Sequence, residues 1–207
     1  MNNITERDIE EFISRGKRVV DENLTRCSSG NLSWRIGDKV LLSATGSWIG
    51  ELTKGDIAIC DLKTGESLNG VKPTMEKIFH LDILRKRPEI DTVLHFQSPH
   101  ATTIACMKNR PTNFNVTLEI PIYIGENIPV IPFLKPGSAE LAEAVTEAML
   151  QHDCIILENH GQVVCGKNFK EALQKALFFE MSCEIILKSK GDYKTLIPSD
   201  YSDFLNK

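Results

Sequence analysis

The chain contains a small set of side chains that could bind a metal ion and move a proton. Glu76 ends the segment KPTME, and two apolar runs end near histidines, His95 and His160. Imidazole is the commonest protein ligand for metals, and catalytic metal sites use about three protein ligands plus an open position. We expect a mononuclear site built from both histidines and a neighbour, with Glu76 as the proton-transfer group. On spacing alone, a structural role for either histidine stays equally open.

Two residues compete to complete this site. Side chains alternate across a strand, so His95 and Gln97 should project from the same face. The amide oxygen of Gln97 can bind a metal, although more weakly than imidazole does. His100, at the start of the next helix, is the rival ligand, and we favour Gln97. His80 follows Glu76 by one helical turn and is expected to be structural or, as the alternative, to contact that carboxylate.

Predicted elements place these groups near one another. Proline is favourable at a helix start, so Pro73 predicts a helix that carries Glu76 in its first turn. The apolar runs at residues 154–157 and 162–165 predict two strands that flank the turn of His160. Carboxylate and imidazoles would then meet where a helix begins and strands end.

Two turns have small side chains and exposed amides. Residues 28–31 read SSGN and residues 45–47 read TGS, flanking a hairpin with alternating apolar positions. Such turns let backbone N–H groups approach an oxyanion or phosphate. Taken alone, each turn is better interpreted as an ordinary turn.

The whole pattern predicts one domain, residues 1–207, in which a mostly antiparallel sheet is covered by helices. Short strands are joined by tight turns, and Thr5, Ser98, Ser138 and Asn168 are candidate helix caps. The proline-rich residues 119–138 should form loops and short edge strands. The segment after Gly191 is weakly patterned and is expected to be loose or to dock on a neighbouring subunit.

Composition excludes several classes of protein. The net charge is -4, with 24 basic and 28 acidic residues, so a nucleic-acid surface is not expected. No apolar run is long enough to span a membrane, and the charged N-terminus is no secretory signal. The six cysteines form no CxxC pair and are expected to be reduced, buried thiols. A cytoplasmic protein is predicted.

Taken together, these motifs resemble those of the class II aldolase/adducin family and, within it, of the L-fuculose-phosphate-type aldolases. The resemblance covers nearly the whole chain. Its motifs are Gly30-Asn31-Leu32-Ser33, Thr45-Gly46, Lys72-Pro73-x-x-Glu76, the His95 strand end, Pro132-x-x-x-Pro136-Gly137, and Asn159-His160-Gly161 before Val163 and Gly166. It implies a three-layer α/β/α domain, a homotetramer with sites at subunit interfaces, and zinc held by three histidines.

The resemblance also implies an activity in carbohydrate metabolism such as fucose degradation. A ketose 1-phosphate like L-fuculose 1-phosphate would be cleaved through an enediolate to dihydroxyacetone phosphate and a short aldehyde. Glu76 matches a carboxylate that coordinates the empty metal and then shuttles the proton. The implied phosphate site comprises Gly30, Asn31, Thr45, Gly46 and Thr74. Alternatives are a pentose-phosphate 4-epimerase, a dehydratase, a decarboxylase or a non-catalytic adducin-like module.

Three departures from the family pattern affect the expected site. The His-x-His motif is His95-Phe96-Gln97 here, so a weaker zinc site that also accepts manganese or cobalt is expected. Paired serines before the carboxylate are replaced by Thr74 and Met75. The loop at residues 132–137 lacks the family's tyrosine, so no tyrosine acid is assigned.

Overall fold

The computed structural model describes residues 3–205, and several of its helices begin at side chains that cap their first amides. Thr5 and Asp8 cap each other's amides, which starts the first helix with a capping box. Ser138 and Asn168 each accept a hydrogen bond from the amide three residues later. These three side chains satisfy amides that have no partner within the helix, as predicted. The fourth candidate, Ser98, precedes a helix but makes no such bond, because its hydroxyl donates to Glu180 instead. The helices are α1 (Glu6–Asp21), α2 (Lys77–Lys86), α3 (Pro99–Ala105), α4 (Ala139–Met149), α5 (Phe169–Lys188) and α6 (Pro198–Leu205).

A seven-stranded sheet forms the centre of the structure. The strands are β1 (Asn31–Ile36), β2 (Lys39–Ser43), β3 (Ile57–Asp61), β4 (Thr92–Phe96), β5 (Val130–Ile131), β6 (Cys154–Leu157) and β7 (Gly161–Gly166). Their order is β3-β2-β1-β4-β7-β6-β5, and only the β5–β6 pair is parallel. The prediction of a mostly antiparallel sheet is confirmed.

Helices cover both faces of the sheet, which confirms the three-layer α/β/α architecture. Leu94 and Phe96 of β4 pack with residues of α1, α3 and α5. Val93 of the same strand packs on the other face with residues of α2 and α4. Each fully buried aliphatic side chain of this kind contributes about 1.5–3 kcal/mol. His95 lies between Leu94 and Phe96, so strand alternation directs its side chain toward the α2 face.

Helix α2 begins later than the sequence predicts. Pro73 forms a β-bridge with Ala44, and the amide of Thr74 donates to the carbonyl of Ser43 at 3.0 Å. These bonds hold the segment extended against the end of β2, so the prediction of a helix starting at Pro73 is wrong. Glu76 is instead the residue immediately before the helix, at its N-cap position.

The proline-rich segment and the C-terminal segment pack together. Residues Ile120–Ile124 form a short π-helical turn, which the sequence did not indicate, and β5 is the expected short edge strand. Helix α6 packs against the π-helical turn and buries Tyr201. The alternative of a loose tail is therefore wrong for this helix.

The cysteines are free thiols throughout the described chain, and no disulfide forms. Cys27 and Cys106 are exposed, which contradicts the expectation of uniform burial; the buried thiols are Cys60, Cys154, Cys165 and Cys183. Within residues 3–205, no helix combines the length and apolarity needed to cross a membrane.

Candidate active site

Three side chains that can bind a metal converge at one end of the sheet. Glu76, His95 and His160 each offer a ligand atom, and these atoms all lie within 4.8 Å of one another. The Nε2 atoms of His95 and His160 lie 3.7 Å from the Glu76 oxygens Oε2 and Oε1, respectively. The two imidazole rings meet edge to face, with centroids 4.7 Å apart. The structure thus brings together the carboxylate and both histidines that the sequence singled out.

Each group is positioned by local structure that its sequence favours. The N-terminus of α2 holds Glu76 on the sheet face toward which His95 points. Asn159 adopts φ +53°, a left-handed conformation that asparagine tolerates, and so turns the chain to present His160. At Gly161, a Cβ atom would lie 2.6 Å from the Phe96 carbonyl and 3.0 Å from the His95 ring. Only glycine fits between these strands without moving the imidazole.

The hydrogen bonds of the cluster leave unshared electron pairs of Glu76 and His95 directed into the site. Nδ1 of His95 lies 2.9 Å from the carbonyl of Gln162, which can only accept, so Nδ1 carries the proton. Nε2 of His95 therefore presents a lone pair toward Glu76. Among the described residues, Glu76 Oε1 and His160 Nδ1 are buried without a hydrogen-bond partner. The unpartnered Oε1 of Glu76, together with the Nε2 atoms of both histidines that face this carboxylate, fits a divalent metal such as zinc.

The charge states also suit metal binding. Burial acts to raise the pKa of Glu76, but His95, the Asn31 hydrogen bond and His160 together hold it below the ordinary value of 4.5. Burial, reinforced by His95, lowers the pKa of His160 to about 4 despite the attraction of Glu76. At neutral pH the carboxylate is ionised and His160 is neutral, the states that ligands must adopt.

The cluster opens into a pocket formed by the two small-residue turns. The backbone at Gly30 adopts φ +90°, and a Cβ there would lie 2.7 Å from the carbonyl of His95, so this turn packs tightly against β4. All five residues of the implied phosphate site line the pocket together with the three candidate metal ligands; they are Gly30, Asn31, Thr45, Gly46 and Thr74.

Residues 10–187 match the family described as Class II Aldolase and Adducin N-terminal domain. The chain belongs to this family. The match covers the seven-stranded sheet and the residues of the Glu-His-His cluster, and the resemblance drawn from the sequence motifs is confirmed.

Known relatives of this class II aldolase/adducin family member are named for different activities. The 3-oxo-tetronate 4-phosphate decarboxylase of Haemophilus influenzae is 29% identical over 202 residues, covering 96% of each chain. The L-fuculose phosphate aldolase of Methanocaldococcus jannaschii is 36% identical over 180 residues, covering 87% of this chain and 96% of the relative. The crystal structure of YgbL from Escherichia coli is 27% identical, superposes with a TM-score of 0.86, and covers 95% of this chain and 96% of its own.

The two candidates for a third ligand differ in their surroundings in this family member. Gln97 lines the same pocket as Glu76, His95 and His160. His100 is instead held by Glu180, whose Oε1 lies 2.7 Å from its Nδ1 and accepts its backbone amide at 2.9 Å. In the part of the chain that the structure describes, it is neither in the ligand cluster nor in the pocket lining. Gln97 as third ligand remains a prediction that this arrangement favours.

Other contacts of the domain were not visible in the sequence. Asn31 donates to Glu76 Oε2 at 2.9 Å, so its side chain is engaged by the carboxylate as well as facing the pocket. His80 forms its hydrogen bonds with Asn31 and Ser33, so the alternative of a contact with Glu76 is met only indirectly, through Asn31. These partners are far apart in sequence, and the docking of α2 on the sheet face beside β1 brings them together. No spacing in the chain signals such pairs.

Proposed function

We propose that this protein is a metal-dependent aldolase that cleaves a ketose 1-phosphate such as L-fuculose 1-phosphate. Its products would be dihydroxyacetone phosphate and a short aldehyde. The observation that carries the proposal is the Glu76 carboxylate, which faces both imidazoles and keeps Oε1 without a hydrogen-bond partner among residues 3–205. A base with a free oxygen, beside metal ligands and at the mouth of a turn-lined pocket, suits proton transfer to a substrate carbon.

The metal ligands that we assign are His95, His160 and Gln97, with Glu76 joining them when no substrate is present. When bound, zinc, manganese or cobalt would polarise the substrate carbonyl and stabilise the negative charge that develops beside it. The protein's own contribution is to hold both imidazoles in place and to keep the carboxylate ionised within reach. A weaker amide ligand favours tolerance of manganese or cobalt beside zinc.

The substrate phosphate is assigned to the two small-residue turns. Thr45 and Thr74 supply hydroxyl groups, and Gly30 and Gly46 allow close approach of the backbone because they carry no side chain. Asn31 completes this set at the boundary with the carboxylate. The phosphate would thereby anchor the three-carbon end of the substrate next to Glu76.

The charge state of Glu76 supports aldol cleavage as the leading reaction. Cleavage moves the electrons of the broken carbon–carbon bond onto the carbon beside the carbonyl, while the leaving half loses a hydroxyl proton. The reaction is proton-neutral, so an ionised Glu76 can accept a proton and return it to carbon within one turnover. The lowered pKa of Glu76 keeps it in the accepting form at neutral pH.

Decarboxylation is the second candidate, because one extensively aligned relative is named a 3-oxo-tetronate 4-phosphate decarboxylase. Loss of carbon dioxide from such a 3-oxo acid leaves the electron pair on the carbon beside the ketone and yields dihydroxyacetone phosphate after protonation. Both reactions therefore pass through the same three-carbon enediolate. Decarboxylation differs in consuming a proton, so Glu76 would have to be reprotonated from solvent in every turnover.

We further propose a cytoplasmic homotetramer. Exposed apolar side chains support a subunit contact, among them Met75 of the pocket lining and Leu118, Tyr123 and Phe133. Light scattering coupled to size-exclusion chromatography would measure the assembly. A monomer at micromolar concentration would contradict this part of the proposal.

A substrate panel on metal-analysed protein tests the function. Protein purified without added metal is first assayed for bound zinc, manganese and cobalt, and then incubated with three compounds: L-fuculose 1-phosphate, 3-oxo-tetronate 4-phosphate and L-ribulose 5-phosphate. Aldol cleavage gives dihydroxyacetone phosphate with an aldehyde, whereas decarboxylation gives the same ketone with carbon dioxide. Epimerisation or dehydration of the pentulose phosphate without dihydroxyacetone phosphate would contradict both candidates. Absence of bound metal together with no turnover would support a non-catalytic adducin-like module instead.

A further inference from the structure

A chain of buried polar side chains leads from the protein interior to Glu76. Ser33 Oγ lies 2.8 Å from His80 Nδ1, and His80 Nε2 lies 2.5 Å from Asn31 Oδ1. Asn31 Nδ2 in turn donates to Glu76 Oε2 at 2.9 Å. Ser33 and His80 are fully buried, and Asn31 and Glu76 are 8% and 6% exposed. The four groups form one continuous line that ends at the proton-transfer carboxylate.

The direction of every hydrogen bond in this line follows from the Glu76 carboxylate, at which the line ends. An ionised carboxylate only accepts, so the amide nitrogen of Asn31 must face Glu76 and its oxygen must face His80. That oxygen also only accepts, so His80 Nε2 must carry the proton. Burial lowers the pKa of His80 to about 3, so the ring is neutral and Nδ1 accepts from the hydroxyl of Ser33.

We propose that His80 is a positioning residue for the reaction: it fixes the orientation of the Asn31 amide and, through it, the Glu76 carboxylate. This inference rests on the proposed role of Glu76 in proton transfer. Without an N–H group at His80, the side-chain oxygen of Asn31 loses the hydrogen-bond donor that fixes which way the amide is turned. The amide can then rotate and present its oxygen to the carboxylate, which repels it.

In this arrangement, only one of the two Glu76 carboxylate oxygens has a hydrogen-bond partner among the described residues. Oε2 is held by Asn31, while Oε1 faces His160 without a hydrogen-bond partner in the described residues. His80 sits on α2 one turn beyond Glu76 and stacks on Phe79, with ring centroids 4.7 Å apart, so the support is attached to the element that carries the carboxylate. Holding Oε2 is what keeps Oε1 aimed at the substrate.

Imidazole nitrogen NMR of the metal-free wild-type protein tests the arrangement without any activity measurement. The expected spectrum shows His80 as the neutral tautomer with the proton on Nε2, assigned by the loss of its signals in the His80→Gln variant. A neutral ring with its proton on Nδ1 would overturn the inference, because Nε2 would then have no hydrogen to donate and Asn31 would be free to turn its oxygen toward Glu76.

Kinetics of two variants test the positioning role on the substrate that the panel identifies. His80→Leu removes the donor and should lower kcat by about 10–100-fold with KM within about twofold, the range seen when supporting hydrogen-bond partners are lost. His80→Gln restores an N–H donor near the position of Nε2 and should recover most of kcat. Ile83→Val, a buried change one turn further along α2, serves as the control for lost packing and should retain kcat.

The outcomes separate this inference from the proposed function. An active wild-type protein whose kcat is unchanged in His80→Leu overturns the positioning role and leaves the aldolase proposal intact. A loss of kcat that His80→Gln does not restore and that Ile83→Val shares also overturns it. If the wild-type protein turns over none of the substrates, the proposed function fails, and the tautomer of His80 alone decides the hydrogen-bond arrangement.

Discussion

Glu76 owes its charge state to its neighbours and its free oxygen to the geometry of the site. Because His95, Asn31 and His160 keep the carboxylate ionised against the effect of burial, it is ready to accept a proton at neutral pH. We expect Glu76→Gln to fold and to retain metal but to lose turnover by about two to four orders of magnitude, the usual range for a positioned acid–base group. Steady-state kinetics and metal analysis of the same preparation provide the measurement.

The matched control for this change is Glu140→Gln, which alters an exposed carboxylate in the first turn of α4. It should retain wild-type turnover. Near-normal activity in Glu76→Gln would remove this carboxylate from the mechanism, whatever the metal content.

Gln97 and His100 make opposite predictions about metal affinity. If Gln97 is the third ligand, Gln97→His should tighten zinc binding about tenfold or more, because imidazole binds zinc better than an amide oxygen does. His100→Ala should leave metal occupancy unchanged, since the ring is held by Glu180 outside the pocket. Competition with a chromophoric chelator measures both affinities, and His95→Ala and His160→Ala, which should lose the metal, calibrate the assay.

The reverse pattern would reassign the ligand. Unchanged zinc affinity in Gln97→His together with an empty site in His100→Ala would make His100 the third ligand. It would also require the bond between His100 and Glu180 to break when the metal binds.

At the level of secondary structure, the close approach of β4 and β7 sets the position of His95. Gly161 leaves no room for a side chain, since a Cβ would lie 2.6 Å from the Phe96 carbonyl and 3.0 Å from the His95 ring. Gly161→Ala should therefore displace the imidazole and weaken metal binding by about 10–100-fold, the cost of disturbing a supporting contact. Chelator competition and thermal denaturation would report affinity and stability separately.

Gly55→Ala is the control for this substitution, because the nearest atom to its added Cβ is Thr53 Oγ1 at 3.6 Å. Its metal affinity should match that of the wild type. Wild-type affinity in Gly161→Ala as well would show that the site tolerates movement of the strand.

Local sequence predicts the elements well where the deciding interactions are local. The helix caps at Thr5, Ser138 and Asn168 follow from side chains that reach amides three residues away. Alternating apolar residues likewise predict the strands. The two faces of the resulting sheet pack against the two helical layers. The start of α2 is not predicted correctly from local sequence, because the hydrogen bond from the Thr74 amide to the Ser43 carbonyl holds the chain extended past Pro73.

The site is predictable only in part for the same reason. His95 and His160 stand out because each ends an apolar run, and the family motifs point to Glu76. The bonds that orient the carboxylate join residues 45 and 49 positions apart in sequence, through Asn31 and His80. Strand register and the docking of α2 on the sheet create these pairs, and neither is encoded in residue spacing.

For the molecule as a whole, a partly buried ion cluster ties the two helical layers together at an end of the sheet. Asp153, just before β6, accepts from Arg87 Nη1 and from Lys175 Nζ, each at 2.7 Å. Arg87 follows α2 on one face, whereas Lys175 belongs to α5 on the other and is only 3% exposed. The carboxylate thus links the layer that carries Glu76 to the layer that packs behind β4.

This cluster predicts an acid-sensitive contribution to stability. Burial acts to raise the pKa of Asp153, but the bonds from Lys175 and Arg87 hold it below the ordinary value of 3.8. The unfolded chain therefore binds a proton at higher pH than the folded chain does. The contribution of Asp153 is fully present well above pH 4 and is lost as the pH falls from about 4 through the folded-state pKa.

Asp153→Asn should lower the free energy of unfolding by about 1–3 kcal/mol at pH 7, since it leaves a buried lysine and an arginine with weaker partners. Denaturant unfolding at a series of pH values should show this difference holding to about pH 5 and shrinking below about pH 4, where wild-type Asp153 also becomes neutral. Asp82→Asn removes a partly exposed pair with Arg85 and should change stability by less than about 1 kcal/mol. A difference that stays constant down to pH 3 would mean that the charge of Asp153 does not hold the layers together and that amide packing accounts for the loss.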